Sequence, residues 1–329
     1  MISVGLTYDL KSDYTFKEGD PPDANAEFDS PSTVDVIANA IKACGFNVKK
    51  IGNASKVLEN FGNLDVDIVF NISEGLTGRN RESQVPILLE MAGIPYVGSD
   101  AFTLALTLDK VMAKKIFTAG NIPTPKYFEI KTEEELINLD HCRFPLIVKP
   151  RFEGSSKGLS ENSRVANEKE LKAQASRIIN IYKQPALVEE FIRGKEFTVA
   201  VVGNDSPEVL PVVQIKIDGN LDLKDQFYTF ARIASDKLEY VCPAKISKKL
   251  ENKISELALM TYNAVECRDF GRIDFRVDEK DNPYVLEINP LPSLSTEDVF
   301  MLLAQNKGMT YAQMIGKILN GAFKRYGIV

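Results

Sequence analysis

The first hundred residues alternate strand and helix patterns in an order that few folds accommodate. The apolar run ISVGL (residues 2–6) precedes PSTVDVIANAIKAC (residues 31–44), which Gly45 closes, and FNVKKI and VDIVFNI follow at residues 46–51 and 66–72. Strand, helix and strand in succession predict a doubly wound α/β opening. Ser30 before Pro31 makes an N-cap and first-turn pair, and Val34, Ile37 and Ile41 recur at helical spacing. Residues 8–29 form a long polar loop at the C-terminal end of the first strand, where α/β sheets bind ligands. That loop is a candidate substrate lid.

The chain has 329 residues, 44% of them hydrophobic, so it can bury a large core divided among two or three domains. A lysine-bearing helix, VMAKKIFTA, lies between Asp109 and Gly120 and leads into NIPTPKYFEI, whose prolines suit a hinge. The expected division is 1–107, 108–188 and 189–329. The middle unit holds the strand FPLIVKP, the glycine and serine loop RFEGSSKGLSE, a helix from Asn167 to Tyr182 and the strand PALVEEFI. The last holds EFTVAVVG, a helix from Lys248 to Val265, GRIDFRV and YVLEIN, with no internal repeat. The fold class is therefore α/β and α+β.

Charge narrows the partners. A formal net charge of -6 and a pI near 5.2 give no field that gathers phosphate backbones, so nucleic acid is not expected. No segment approaches the roughly 18 apolar residues of a membrane span, and MISVGLTYDL lacks the basic and apolar regions of a signal peptide. A cytoplasmic protein is expected. Cys44, Cys142, Cys242 and Cys267 show no C-x-x-C spacing, which predicts four buried free thiols and no zinc site. His141, the one histidine, is far from any serine motif of a hydrolase triad.

Two strands carry the most chemistry. Arg272-Ile-Asp274 and Glu287-Ile-Asn289 each place polar residues two apart, hence on one face, while Tyr284, Leu286 and Ile288 are expected on the opposite face. Asp274, Glu287 and Asn289 are hard oxygen ligands suited to Mg²⁺, and Arg272 can hold a phosphate oxygen. One such strand alone would read as a surface salt-bridge cluster; two make a wet acidic face. Lys149 ends LIVKP and runs into Glu153-Gly-Ser155-Ser156-Lys157-Gly158, where glycine lets backbone N–H groups approach phosphates and the serines add donors. The Walker pattern is absent, and GSSKG by itself reads as a flexible loop. Glu189, Glu190 and Glu196 form a third group that suits adenine and ribose recognition at a linker between lobes, with Glu190 read as solvated surface charge.

In this order these residues resemble the ATP-grasp superfamily, in particular its D-alanine–D-alanine ligase branch. Six blocks fall in register: SEGLTGRNRESQVPILLEMAGIPYVGSD, LALTLDKVMAKKIF, LIVKPRFEGSSKGLS, LVEEFIRGKEFTVAVV, FGRIDFRV and YVLEINPLPSLS. The resemblance implies an ATP-grasp fold behind an N-terminal doubly wound (pre-ATP-grasp) domain. It implies that Lys110 and Lys149 touch ATP phosphates, Glu189 and Ile192 the adenine, and Glu196 the ribose. Arg272 would stabilise the transferring phosphoryl group, and Asp274, Glu287 and Asn289 would hold two Mg²⁺ ions, with Mn²⁺ as a substitute. The implied reaction joins a small-molecule carboxylate to an amine through an acyl phosphate, chemistry that asks mainly for positioning and charge neutralisation.

Departures from the family pattern bear on the substrates. A tyrosine that the family links to the serine at Ser155 is replaced by Ile233, and Arg232 stands where a phosphate-binding lysine is expected. Ser293 replaces a glycine whose N–H helps an oxyanion hole, and still offers its own N–H. Asp298, beside Glu297, replaces a serine that binds a carboxylate, and would repel one. An amine other than D-alanine is implied, one without a nearby carboxylate or with a second cationic group. Glu27 and Asp29 fall near the family's site for the first substrate's amino group. Arg79 and Arg81 read equally as ligands of an acidic donor or as solvated charges. Dimers are usual in the family, although no self-complementary patch argues for a homodimer here. The alternatives are another ATP-grasp ligase, making a specialised dipeptide or an amide, and a catalytically silent ATP-binding regulatory or scaffold protein.

Overall fold

The computed structural model describes residues 1–137, 142–233, 235 and 237–328, so His141 lies outside the described residues. Among the described residues three sheets organise the chain. The first is parallel, in the order Asn47–Gly52, Ser3–Tyr8, Ile68–Ile72 and Tyr96–Val97. On one face Val4, Leu6, Ile68 and Phe70 pack with Val34, Ile37 and Ile41 of the helix Pro31–Ala43. On the other, Val69 and Tyr96 pack with Val57, Val85 and Leu89. The helix starts as its sequence reads: the Ser30 side chain accepts the Thr33 N–H at 3.1 Å, and Pro31 opens the first turn, where its missing donor costs nothing.

The second sheet is antiparallel, in the order Tyr127–Ile130, Ala186–Glu190, Leu146–Pro150 and Arg164–Val165. The helix Glu168–Arg177 lays Leu171 and Ala175 against it and continues through a wider turn, Ile178–Tyr182. The third sheet runs Leu238–Val241, Val213–Ile217, Gly194–Val202, Phe270–Asp278 and Pro283–Asn289, all antiparallel, with Glu208–Val209 beside Gly194–Val202. The helix Lys248–Ala264 covers it with Ile254, Ala258 and Tyr262.

Two helices pack away from their sequence neighbours. Lys110–Ala119 buries Ala113 and Phe117 in the core of the third sheet, although the sequence division groups it with the second. The last helix, Tyr311–Tyr326, buries Ile315, Ile318 and Leu319 against the first sheet. Apolar periodicity shows that a helix has a buried face, not which sheet receives it.

Two expectations need correction. Of the four free thiols only Cys267 is buried; Cys44, Cys142 and Cys242 are half-buried. The alternation over residues 284–289 is also interrupted. Asp274 pairs with Glu287 and Phe275 with Val285, leaving Leu286 as the extra residue of a β-bulge. Val285 and Ile288 therefore enter the core, while Leu286 joins Glu287 at the cavity. Among the described residues no helix is long and apolar enough to cross a membrane.

Candidate active site

A cavity of about 830 Å³ lies where the three sheets meet. Its floor is the pair of strands Phe270–Asp278 and Pro283–Asn289, whose register sets Arg272 opposite Asn289 and Asp274 opposite Glu287. Arg272 grips Asp274 with two N–H groups, Nε to Oδ1 at 3.1 Å and Nη2 to Oδ2 at 3.0 Å. Asp274 also accepts Thr198 Oγ1 at 2.6 Å and Asn289 Nδ2 at 3.0 Å. Burial works against the Arg272 charge, but Asp274 and Asp298 hold the guanidinium firmly protonated.

Lysines face this floor. Lys110 Nζ lies 3.2 Å from Glu287 Oε2 and also donates to the Glu153 carbonyl. Burial alone would raise the Glu287 carboxyl, yet Lys110, Lys149 and Arg272 bring it down to about 2, so it is ionised at neutral pH. Lys149 Nζ is 2.8 Å from Glu189 Oε2, and Lys114 Nζ is 2.6 Å from Glu189 Oε1. Lys114 is wholly buried, and desolvation pushes its pKa down to about 8 despite that contact. Glu189 is thus a shared counter-ion for two lysines as well as part of the cavity wall.

The residues expected at adenine and ribose lie together. Glu189, Ile192 and Glu196 line one end of the cavity with Phe191 and Phe227, and Lys149 borders them. Arg276 organises this end: its Nε donates to the Ile192 carbonyl at 2.9 Å and its Nη1 lies 3.0 Å from Glu196 Oε2. Burial raises the Glu196 pKa and Arg276 opposes that rise. Glu190 is exposed at the rim.

Ser155 and Ser156 line the cavity in left-handed conformations, with φ of 44° and 55°. The glycine N–H groups on either side, expected for phosphate, are engaged by the N-terminal loop instead. Gly154 N–H donates to Glu27 Oε1 at 2.6 Å, and Gly158 N–H to Asp23 Oδ2 at 2.8 Å. Lys157 lies 3.0 Å from Glu27 and 2.6 Å from Glu153. Arg81 Nη2 is 2.6 Å from Glu27 Oε1, so Arg81 is a buried brace. Arg79 is exposed, paired with Asp109 at 2.7 Å, and lies off the cavity wall. Arg232 is also off the wall, donating to the Phe227 carbonyl at 2.8 Å and lying 3.0 Å from Glu161. Ile233 ends the short helix Phe230–Ile233.

On the remaining walls, Asp298 caps the helix Val299–Asn306, accepting the Val299 N–H at 2.6 Å, and stands 3.8 Å from Arg272 Nη1. Ser293 and Glu297 are exposed beside it, and Asp29 faces the cavity from the first domain. Lys114, Arg276, Asp23, Glu74 and Glu82 escaped the sequence reading. Lys114 and Arg276 carried a signal, lying four residues from Lys110 on one helix face and two from Asp274 on one strand face. Asp23 gave none, because its role comes from the N-terminal loop docking over distant chain, and Glu74 and Glu82, which line the cavity, sit in no recognisable pattern.

The donors on the floor suit Mg²⁺. Two carboxylates and an amide on adjacent strands make an all-oxygen set, and such an ion retains waters in its remaining positions. The set fits, although both oxygens of Asp274 are presently occupied by N–H and O–H donors.

Comparison with known proteins agrees with this architecture. Residues 116–320 match the family model described as D-ala D-ala ligase C-terminus. An uncharacterised protein, y4sG, of Sinorhizobium fredii is 39% identical over 79% of the chain and 75% of its own length. The D-alanine–D-alanine ligase of Carboxydothermus hydrogenoformans is 34% identical over 87% of the chain and 91% of its own length. Among solved structures, the Bacillus anthracis D-alanine–D-alanine ligase complexed with ATP superposes with a TM-score of 0.77, 20% identity and 98% coverage of each chain. VanG D-Ala:D-Ser ligase of Enterococcus faecalis gives 0.72 at 23% identity, covering 98% of this chain and 99% of its own. These last two speak to the fold.

Proposed function

Because the chain belongs to the D-alanine–D-alanine ligase family of the ATP-grasp superfamily, we propose that it is an ADP-forming carboxylate–amine ligase with substrates other than a D-alanine pair. The observation that carries this reading is the facing of Lys110 against Glu287, on a strand paired with Arg272 and Asp274. The cavity thereby sets fixed cations and ionised oxygen ligands around one point, the arrangement that phosphoryl transfer needs.

In this reading the acid's carboxylate oxygen attacks the γ-phosphorus of ATP, the bond to the β-phosphate oxygen breaks, and ADP and an acyl phosphate result. The amine then attacks the acyl carbon, phosphate leaves, and the amine gives up a proton. Lys110 and Lys149 hold phosphate oxygens, and Arg272 turns from Asp274 to the phosphoryl group. The nucleotide base lies beside Ile192, with Glu189 and its two lysines behind it, and Glu196, steadied by Arg276, takes the ribose hydroxyls. Mg²⁺ would be held by Asp274, Glu287 and Asn289 and would supply charge neutralisation for the phosphates. Ser155 and Ser156 cover the phosphates, and the Ser293 N–H supports the acyl oxygen.

Asp298 argues for a different amine. Its carboxylate stands near Arg272, where a second amino acid's carboxylate would be repelled. The test is release of ADP and phosphate with paired acids and amines, with Glu287→Gln as the control that abolishes turnover. D-alanine as the best acceptor would overturn the substrate assignment, and unchanged turnover in Glu287→Gln would overturn the metal assignment.

A further inference from the structure

One wall of the cavity carries charge that the chemistry above does not use. Asp29, Glu74 and Glu82 line it, and none of their carboxylates makes a hydrogen bond or an ion pair among the described residues. Glu82 is only 8% exposed, and what remains open of it faces the cavity. An ionised carboxylate so enclosed is costly unless a partner arrives. Arg81, Lys110 and Lys11 act on these carboxylates only through space, without an ion pair among the described residues: Arg81 is bound to Glu27, Lys110 to Glu287, and Lys11 is exposed at the mouth. Burial and like charges raise the pKa of Glu74, and burial lifts Asp29 and Glu82 to about 7, as expected for groups awaiting a positive charge.

Among the described residues no three acidic, histidine or cysteine side chains stand close enough together to hold a metal ion. Unpartnered carboxylates that feel one another's charge, as Glu74 feels Glu82 and Asp29, suit organic cations. A simple amino acid brings one ammonium group, whereas this wall offers three carboxylates, with Glu27 already neutralised by Arg81 and Lys157.

We propose that Asp29, Glu74 and Glu82 form a subsite for the two ammonium groups of a diamino acid, and that this diamino acid is the carboxylate the enzyme activates. The second half rests on the ligase reading; the subsite does not. The substrate's carboxylate then extends toward Lys110 and Arg272, and its two ammonium groups are spread along the acidic wall.

Calorimetric titration of the full-length protein, with and without a non-hydrolysable ATP analogue and Mg²⁺, decides the matter. Lysine and ornithine, as both stereoisomers, are compared with norleucine, which has the length of lysine without its side-chain ammonium. At least one diamino acid is expected to bind tenfold or more tightly than norleucine, and Glu82→Gln and Glu74→Gln should each shrink that gap several-fold. Glu82→Gln should also melt at or above the parent temperature, because it replaces an unpaired carboxyl in an enclosed position; a purely structural carboxylate would give the opposite. Equal binding of norleucine and the diamino acids, or no binding of any diamino acid, overturns the subsite. Hydroxylamine as a generic amine, with the hydroxamate measured, reads activation separately. Diamino acid binding without hydroxamate or phosphate release would leave the subsite standing and remove the ligase step.

Discussion

Glu27 Oε1 accepts the N–H of Gly154 at 2.6 Å, joining the N-terminal loop to the glycine and serine segment across 127 residues of chain. The same carboxylate neutralises Arg81 and Lys157, and these charges, with burial opposing them, hold its pKa down. The loop thus closes over the cavity through a charged contact. Glu27→Gln keeps the shape but removes the charge, leaving Arg81 and Lys157 in excess. Amide exchange at residues 154–158 should accelerate at least tenfold, and global stability should fall by about 3 kcal/mol, as for a broken buried pair. Unchanged exchange would show that the loop is held by other contacts.

Gly158 has φ of 78°, and a Cβ there would sit 2.4 Å from Pro150 Cγ and 2.7 Å from Pro150 Cδ. Neither the left-handed backbone nor the proline ring yields cheaply. Gly158→Ala should therefore cost about 2–4 kcal/mol from strain and overpacking together. The urea midpoint should fall accordingly, and the KM for ATP should rise because the preceding serines are displaced. A variant with the parent midpoint would refute the close approach.

Much of this site was legible because its chemistry sits on regular elements. Arg272, Asp274, Glu287 and Asn289 could be placed on one face from a two-residue spacing, and the paired strands keep them there. The bulge at Leu286 was not legible, since one extra residue shifts the alternation without any change in composition. Nor was the role of Glu27, whose partners Gly154 and Lys157 lie more than a hundred residues away on another sheet's loop. Lys114 shows the same limit differently. Its spacing of four from Lys110 was there to be read and went unread, and its wholly buried position depends on Glu189 and Thr124 arriving from other elements.

Glu189 is the counter-ion of both Lys114 and Lys149, at 2.6 Å and 2.8 Å, with almost no exposure of its own. Their charges lower its pKa even though burial opposes this. Glu189→Gln leaves two enclosed ammonium groups without a full counter-charge, so a loss of about 3–5 kcal/mol is expected. Glu189→Gln with Lys114→Met should recover part of that loss, because one excess charge disappears. A double-mutant cycle with zero coupling would contradict the shared-counter-ion arrangement.

Lys114 should also leave a mark on the alkaline limb of the stability profile. Its folded pKa, about 8, lies below the ordinary lysine value of 10.5 because desolvation disfavours its charge more than Glu189 favours it. Below pH 8 the group is protonated in both states, and the penalty of burying its charge is fully present. Between pH 8 and 10.5 the folded chain has released the proton and the unfolded chain still holds it, so this group's contribution to stability rises with pH. Above 10.5 the penalty is gone. Lys149 and Lys157 shift the opposite way, so the comparison must be with Lys114→Met rather than with pH alone. From pH 8 to 10.5 the parent should gain about 2–3 kcal/mol relative to Lys114→Met. Urea unfolding of both proteins at pH 7.5, 9 and 10 measures this, and parallel curves would mean that Lys114 remains charged throughout.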